Sequence, residues 1–161
     1  MKIIRWLTAL IIRQTNRGLL VRLLFLTGIA WIPAQVLAEG AAFLFGRPRH
    51  DPMLGSAADV ILIGLLMAPL LETMGIKYML RLVGRWTRDS VLLNVICALA
   101  WGLMHVHAPG FGVHAVWTFF VFGAVFQELC RSRSENAAYF NVTVIHVLFN
   151  ALSYGVYLLV R

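Results

Sequence analysis

From residue 19 onward the chain is a succession of apolar stretches, about 19–45, 57–83, 90–107, 112–130 and 137–160. Each is long enough to cross a hydrocarbon core of ~30 Å as a helix. The breaks between them, GRPRHDPMLGS, GRWTRDS, HAPGFG and CRSRSEN, are rich in Gly, Pro, Ser and charge, the residues of turns. Composition agrees. Hydrophobic residues make up 60% of the 161 and charged residues 13%, where a soluble domain has about 25% charged. The expectation is an all-α polytopic membrane bundle. It has about five transmembrane helices over 19–161, an amphipathic helix before them, and no second domain.

That first segment, MKIIRWLTALIIRQTNRG, alternates apolar residues with Lys2, Arg5, Arg13 and Arg17. It reads as a helix over 1–18 lying in the membrane interface. Its basic region is too long for a cleaved signal peptide, although Val36-Leu37-Ala38 imitates a cleavage site. Orientation follows from charge. With the amino terminus in the cytoplasm, Lys2, Arg5, Arg13, Arg17, Arg22, Arg81, Arg85, Arg88, Arg131 and Arg133 fall inside. Arg47, Arg49 and Arg161 fall outside. Ten against three favours that topology. The net charge of +7 is therefore spread over helix ends rather than gathered in a patch, which argues against a nucleic-acid partner. Cys97 and Cys130, in or beside apolar runs, read as small hydrophobes.

Against this background the polar residues inside the spans stand out: Glu72 in the second, His105 in the third, His146 and Asn150 in the fifth. Ionisable groups there are costly and default to function. At ~1.5 Å per residue from the inner end of each span, the depths are ~17 Å for Glu72, ~22 Å for His105, ~14 Å for His146 and ~20 Å for Asn150. Three helices thus bring a carboxylate, two imidazoles and an amide to one level. His146 and Asn150, four apart, share a helix face. A carboxylate in a low-dielectric site becomes a usable general base near neutral pH. A neighbouring imidazole can help it hold a water. A second imidazole and an amide can donate to the oxyanion formed when that water attacks a carbonyl.

The order Glu72-Thr73-Met74-Gly75-Ile76-Lys77, Trp101-Gly102-Leu103-Met104-His105 and His146-Val147-Leu148-Phe149-Asn150 resembles the CAAX-protease and bacteriocin-processing (CPBP) family of intramembrane proteases. That family's motifs are E-E-x-x-x-R, F-x-x-x-H and H-x-x-x-N/D, and the likeness covers about residues 60–155. It implies a glutamic-type endopeptidase in which Glu72 and His105 activate water and His146 with Asn150 forms the oxyanion hole. Trp101 stands where the family has Phe, one turn before His105. The substrate would be a membrane-associated peptide: a leader, a sorting signal or a lipidated carboxy terminus. The setting would be a prokaryotic cell membrane. No cofactor is expected. Zinc on Glu72, His105 and His146 is the alternative, disfavoured because an amide such as that of Asn150 is a poor zinc ligand.

Thr73 replaces the family's second Glu and Lys77 its Arg. These positions are four apart and face each other, so both departures strike one supporting pair. They also sustain a competing reading, a non-catalytic relative with an immunity or regulatory role. From a different class comes a bis-histidine haem protein on His105 and His146. His107 and His114 read as interfacial residues, His50 and Asp51 as loop residues. Asn141-Val142-Thr143 is a chance sequon.

Overall fold

A computed structural model describes residues 2–15, 17–45, 57–106 and 111–160. Six helices follow in chain order: α1 (Lys2–Thr15), α2 (Leu19–Phe45), α3, α4 (Ser90–Met104), α5 (Phe111–Ser132) and α6 (Glu135–Val160). Helix α3 is one rod that changes register along its length. A short α segment (Ala57–Asp59) leads into a π-helical stretch (Val60–Met67), and α geometry resumes over Ala68–Val83. His50, Asp51 and His107 lie outside the described residues.

Four of these helices, α2, α3, α5 and α6, are long and apolar enough to cross a membrane. The third expected span is the exception. Asp89 starts α4 by accepting hydrogen bonds from the amides of Val91 at 2.8 Å and Leu92 at 3.1 Å, which satisfies two of the orphan donors of a helix start. At the other end the His105 amide bonds the Gly102 carbonyl at 3.1 Å, a tight last turn. The 15 residues of α4 rise only ~22 Å.

Helix α5 is the axis of the bundle and packs against all five others. Its apolar stretch is 61% buried, against 22% for α3. Close approach of α4 to α5 depends on glycine. A Cβ on Gly102 would stand 2.2 Å from Val116 Cγ2, and one on Gly123 would stand 2.1 Å from Asn94 Oδ1. Small residues of this kind let membrane helices pack without a hydrophobic driving force. The core follows this axis, with Phe119, Val121, Phe122, Val125, Phe126 and Leu129 all buried.

Helix α1 docks on the end of the bundle through Ile11, Gln14 and Thr15, which are buried, while Ile3 and Trp6 face outward. Arg22 of α2, counted above among the charged ends, is itself buried. Its Nε donates to Asn141 Oδ1 and its Nη1 to the Thr15 carbonyl, both at 3.1 Å, so one guanidinium joins α1, α2 and α6. Asn141 is buried in that contact, which removes it as a glycosylation acceptor. Near the middle of α2, Pro33 withholds an amide hydrogen from the Ile29 carbonyl. Trp117 Nε1 of α5 donates to that carbonyl at 3.1 Å.

Candidate functional site

The site grows from the aromatic run of α5. Phe119 and Phe122 are three apart and share a face. The Trp101 ring of α4 stacks on Phe119, with centroids 4.5 Å apart and planes 7° from parallel. The His105 ring lies 5.5 Å from Phe119, and the His146 ring lies 5.9 Å from the same phenyl on its edge. Phe122 closes on His146 at 4.6 Å. One buried phenyl therefore spaces both imidazoles.

Glu72 of α3 completes the set. Its Oε2 lies 3.4 Å from His146 Nε2 and its Oε1 lies 3.9 Å from His105 Nε2. Each carboxylate oxygen faces a different ring, from a different helix. His105 Nδ1 stands 2.8 Å from the Trp101 carbonyl. The carbonyl can only accept, so Nδ1 carries the hydrogen in that bond and Nε2 is the nitrogen that faces Glu72. The side chains of Glu72 and His105 keep 25% and 24% of their exposure, while His146 keeps 5%. Glu72 and His105 thus form the accessible part of the site, and His146 lies deeper.

Gly75, one turn after Glu72, sets the approach of α3 to α4, because a Cβ there would stand 2.6 Å from Trp101 Cζ2. The other expected residues are placed differently. Asn150 follows His146 by one turn, yet its Nδ2 donates to the Gly64 carbonyl of α3 at 2.8 Å. Thr73 is fully buried, and its Oγ1 has no hydrogen-bond partner. Lys77 turns away from it to meet Glu135 of α6 at 2.6 Å, where Arg81 also binds. Thr73 and Lys77 therefore do not face each other: Lys77 has its own acid, and the Thr73 hydroxyl is buried alone.

His114 lies in the first turn of α5 with its ring on the edge of Phe149, 5.3 Å away. Phe119, Phe122 and Gly75 were also missed as site-shaping residues. The aromatic density of WTFFVF and the glycine one turn from Glu72 are the signals that point to them.

Among the described residues no group of three His, Cys, Asp or Glu is placed to hold a metal ion. His146 Nδ1 is buried without a partner, whereas a ligating imidazole donates its second nitrogen to a supporting acceptor. What the arrangement offers is a carboxylate between two nitrogen bases, walled by aromatic rings. No family model, curated protein or solved structure matches the chain.

Proposed function

We propose that the chain is a glutamic-type intramembrane endopeptidase that cuts a membrane-associated peptide. The observation that supports this most directly is the bracketing of Glu72 by His146 and His105 on two other helices. At 3.9 Å the Glu72–His105 gap exceeds a direct hydrogen bond and matches polar groups bridged by a shared molecule. A water held there gives its proton to Glu72 as its oxygen attacks the scissile carbonyl carbon. The oxyanion that forms is met by an N–H of His146 and by the second amide hydrogen of Asn150, beyond the one given to Gly64. Glu72 then returns the proton to the leaving amine. Residues from three helices make the reaction geometry depend on the folded bundle.

The same reading places the protein in a prokaryotic cell membrane with a cytoplasmic amino terminus, in keeping with the distribution of Lys and Arg. The competing reading, a non-catalytic relative of the CPBP family, rests on Thr73 and Lys77. Lys77 has found a partner in Glu135, so its departure from the family pattern leaves no charge stranded. A haem reading is opposed by Glu72, which stands between the two imidazoles that would have to face one iron.

Glu72→Gln keeps the shape of the side chain and removes the base. Terminal-peptide profiling of membranes from cells expressing the wild type or Glu72→Gln should reveal peptides formed by the wild type alone. His105→Ala should lose the same peptides. Identical profiles from folded wild type and folded Glu72→Gln would reject the proposal, and inhibition by a chelator with rescue by added zinc would replace it with a metal mechanism.

A further inference from the structure

A proline inside a membrane helix leaves one carbonyl of the preceding turn without its helical donor, and hydrocarbon supplies no water to replace it. Two prolines stand inside described membrane-crossing helices, Pro33 in α2 and Pro69 in α3. In the regular register of α2 the deprived carbonyl is four residues back, at Ile29, and the indole of Trp117 donates to it at 3.1 Å. In α3 the register is wider. The Ala68 amide bonds the carbonyl of Ile63, five residues back. Continued by one residue, that register would pair the amide of position 69 with the Gly64 carbonyl, and Pro69 has no amide hydrogen to give. That is the atom to which Asn150 Nδ2 donates at 2.8 Å.

We propose that Asn150, besides the oxyanion role given to its second amide hydrogen, positions Glu72: its first amide hydrogen takes the place of the one Pro69 lacks, and so holds the wide turn that leads into the Glu72 segment. The two prolines differ in register by one residue, and in each case a side chain from another helix meets the carbonyl that the register predicts. A π turn is rare and needs support. Helix α6 gives it from two points, since Tyr139 Oη also donates to the Leu70 carbonyl at 3.0 Å. These contacts bracket Pro69, and Glu72 begins the turn that follows. A wide turn changes which face the next residues present, so holding it open fixes the side from which Glu72 meets His105 and His146. The importance for cleavage rests on the endopeptidase reading. The exchange of one donor for another does not.

The test is a double-mutant cycle on the full chain in lipid or mild detergent. Asn150→Ala should lower the melting temperature by about 2–4 °C, the shift expected for one lost interhelical hydrogen bond. Pro69→Ala restores a backbone amide, and in that background Asn150→Ala should cost almost nothing. Pro33→Ala, which restores the amide of the other helix, should give no such relief. Equal losses in the wild-type and Pro69→Ala backgrounds would overturn the proposal. If Asn150→Ala fails to accumulate, recovery of folded protein in the double variant is the same result, and failure of both to accumulate counts against it. Cleavage is read in parallel, and the double variant should regain part of what Asn150→Ala loses. Thermal coupling without cleavage in any protein, wild type included, would reject the enzyme and leave the donor exchange standing.

Discussion

The pair α4–α5 and the helix α3 are built in opposite ways. Between α4 and α5 the contact is a seam of glycines and aromatic rings, so tight that Gly102 and Gly123 admit no Cβ without displacement. Helix α3 has Leu66, Met67, Leu71 and Met74 turned outward. Its inner face buries Ile76, Leu80 and Val83, and its remaining contacts are few and separate: Gly75 against Trp101, Asn150 at Gly64, Tyr139 at Leu70, and Glu135 at Lys77 and Arg81. The imidazoles belong with the dense part, spaced by Phe119. The carboxylate belongs with the loose part. A site divided this way keeps its two nitrogen bases fixed, while the position of its acid is set by contacts that can be altered one at a time.

The largest effect should come from the dense seam. Gly123→Ala presses on Asn94, whose Nδ2 is committed to the Phe120 carbonyl at 2.7 Å. Overpacking of this kind costs ~1–3 kcal/mol. Thermal unfolding should show the loss, and Asn94→Ala in the same chain should recover part of it. Full stability in Gly123→Ala would mean that the seam yields as easily as α3.

Gly75→Ala is the matching change on the loose side. Its Cβ meets the Trp101 ring, but α3 can move outward toward lipid, so we expect less than ~1 kcal/mol of lost stability. On the endopeptidase reading cleavage should suffer far more, because a displacement of ~1 Å at a reacting group costs on the order of 10²-fold in rate. Trp101→Phe should partly restore it by making room. A stability loss as large as that of Gly123→Ala would erase the distinction between the two regions.

Smaller still is Glu135→Gln, which removes the shared partner of Lys77 and Arg81. Partly exposed ion pairs are worth ~0.2–1 kcal/mol. Salt should lower the melting temperature of the wild type toward that of the variant and leave the variant unmoved.

The smallest shift concerns the start of α4. The amides of Leu92 and Val91 hold the Asp89 carboxyl below the usual carboxylate range. Its contribution is complete above that range and is lost as the pH falls through the lowered folded value. Asp89→Ala should therefore remove a slight acid sensitivity from the melting curve. Asp89→Asn, still a good cap, should keep the helix start and lose the pH dependence.

How much of this is legible in the sequence depends on the range of the forces involved. The spans 19–45 and 57–83 are set by local apolarity, and the helices occupy the same residues. The convergence of Glu72, His105 and His146 follows from depth alone, because three residues at one level in a small bundle have few places to go. What depth does not carry is direction. Asn150 shares a face with His146, but its amide goes to a carbonyl set free by a proline some eighty residues earlier, across the bundle. Lys77 likewise finds its acid on α6, in the CRSRSEN segment that the topology already places at the same membrane surface as Arg81. His114, beside a turn in the sequence, lies in the first turn of α5 with its ring against Phe149, a contact that the local pattern does not carry.

The brevity of α4 has a consequence for the membrane itself. A helix rising ~22 Å is ~8 Å shorter than a ~30 Å hydrocarbon core, and its last turn leads into His105. Lipid must thin around that end or admit water beside it, at a cost that grows with each ångström of mismatch. A shortfall at that end brings Glu72 and His105 nearer to the aqueous phase than their sequence depths imply. The supply of water to the site becomes a property of acyl-chain length: short-chain bilayers would relax around α4, and long-chain bilayers would close over it.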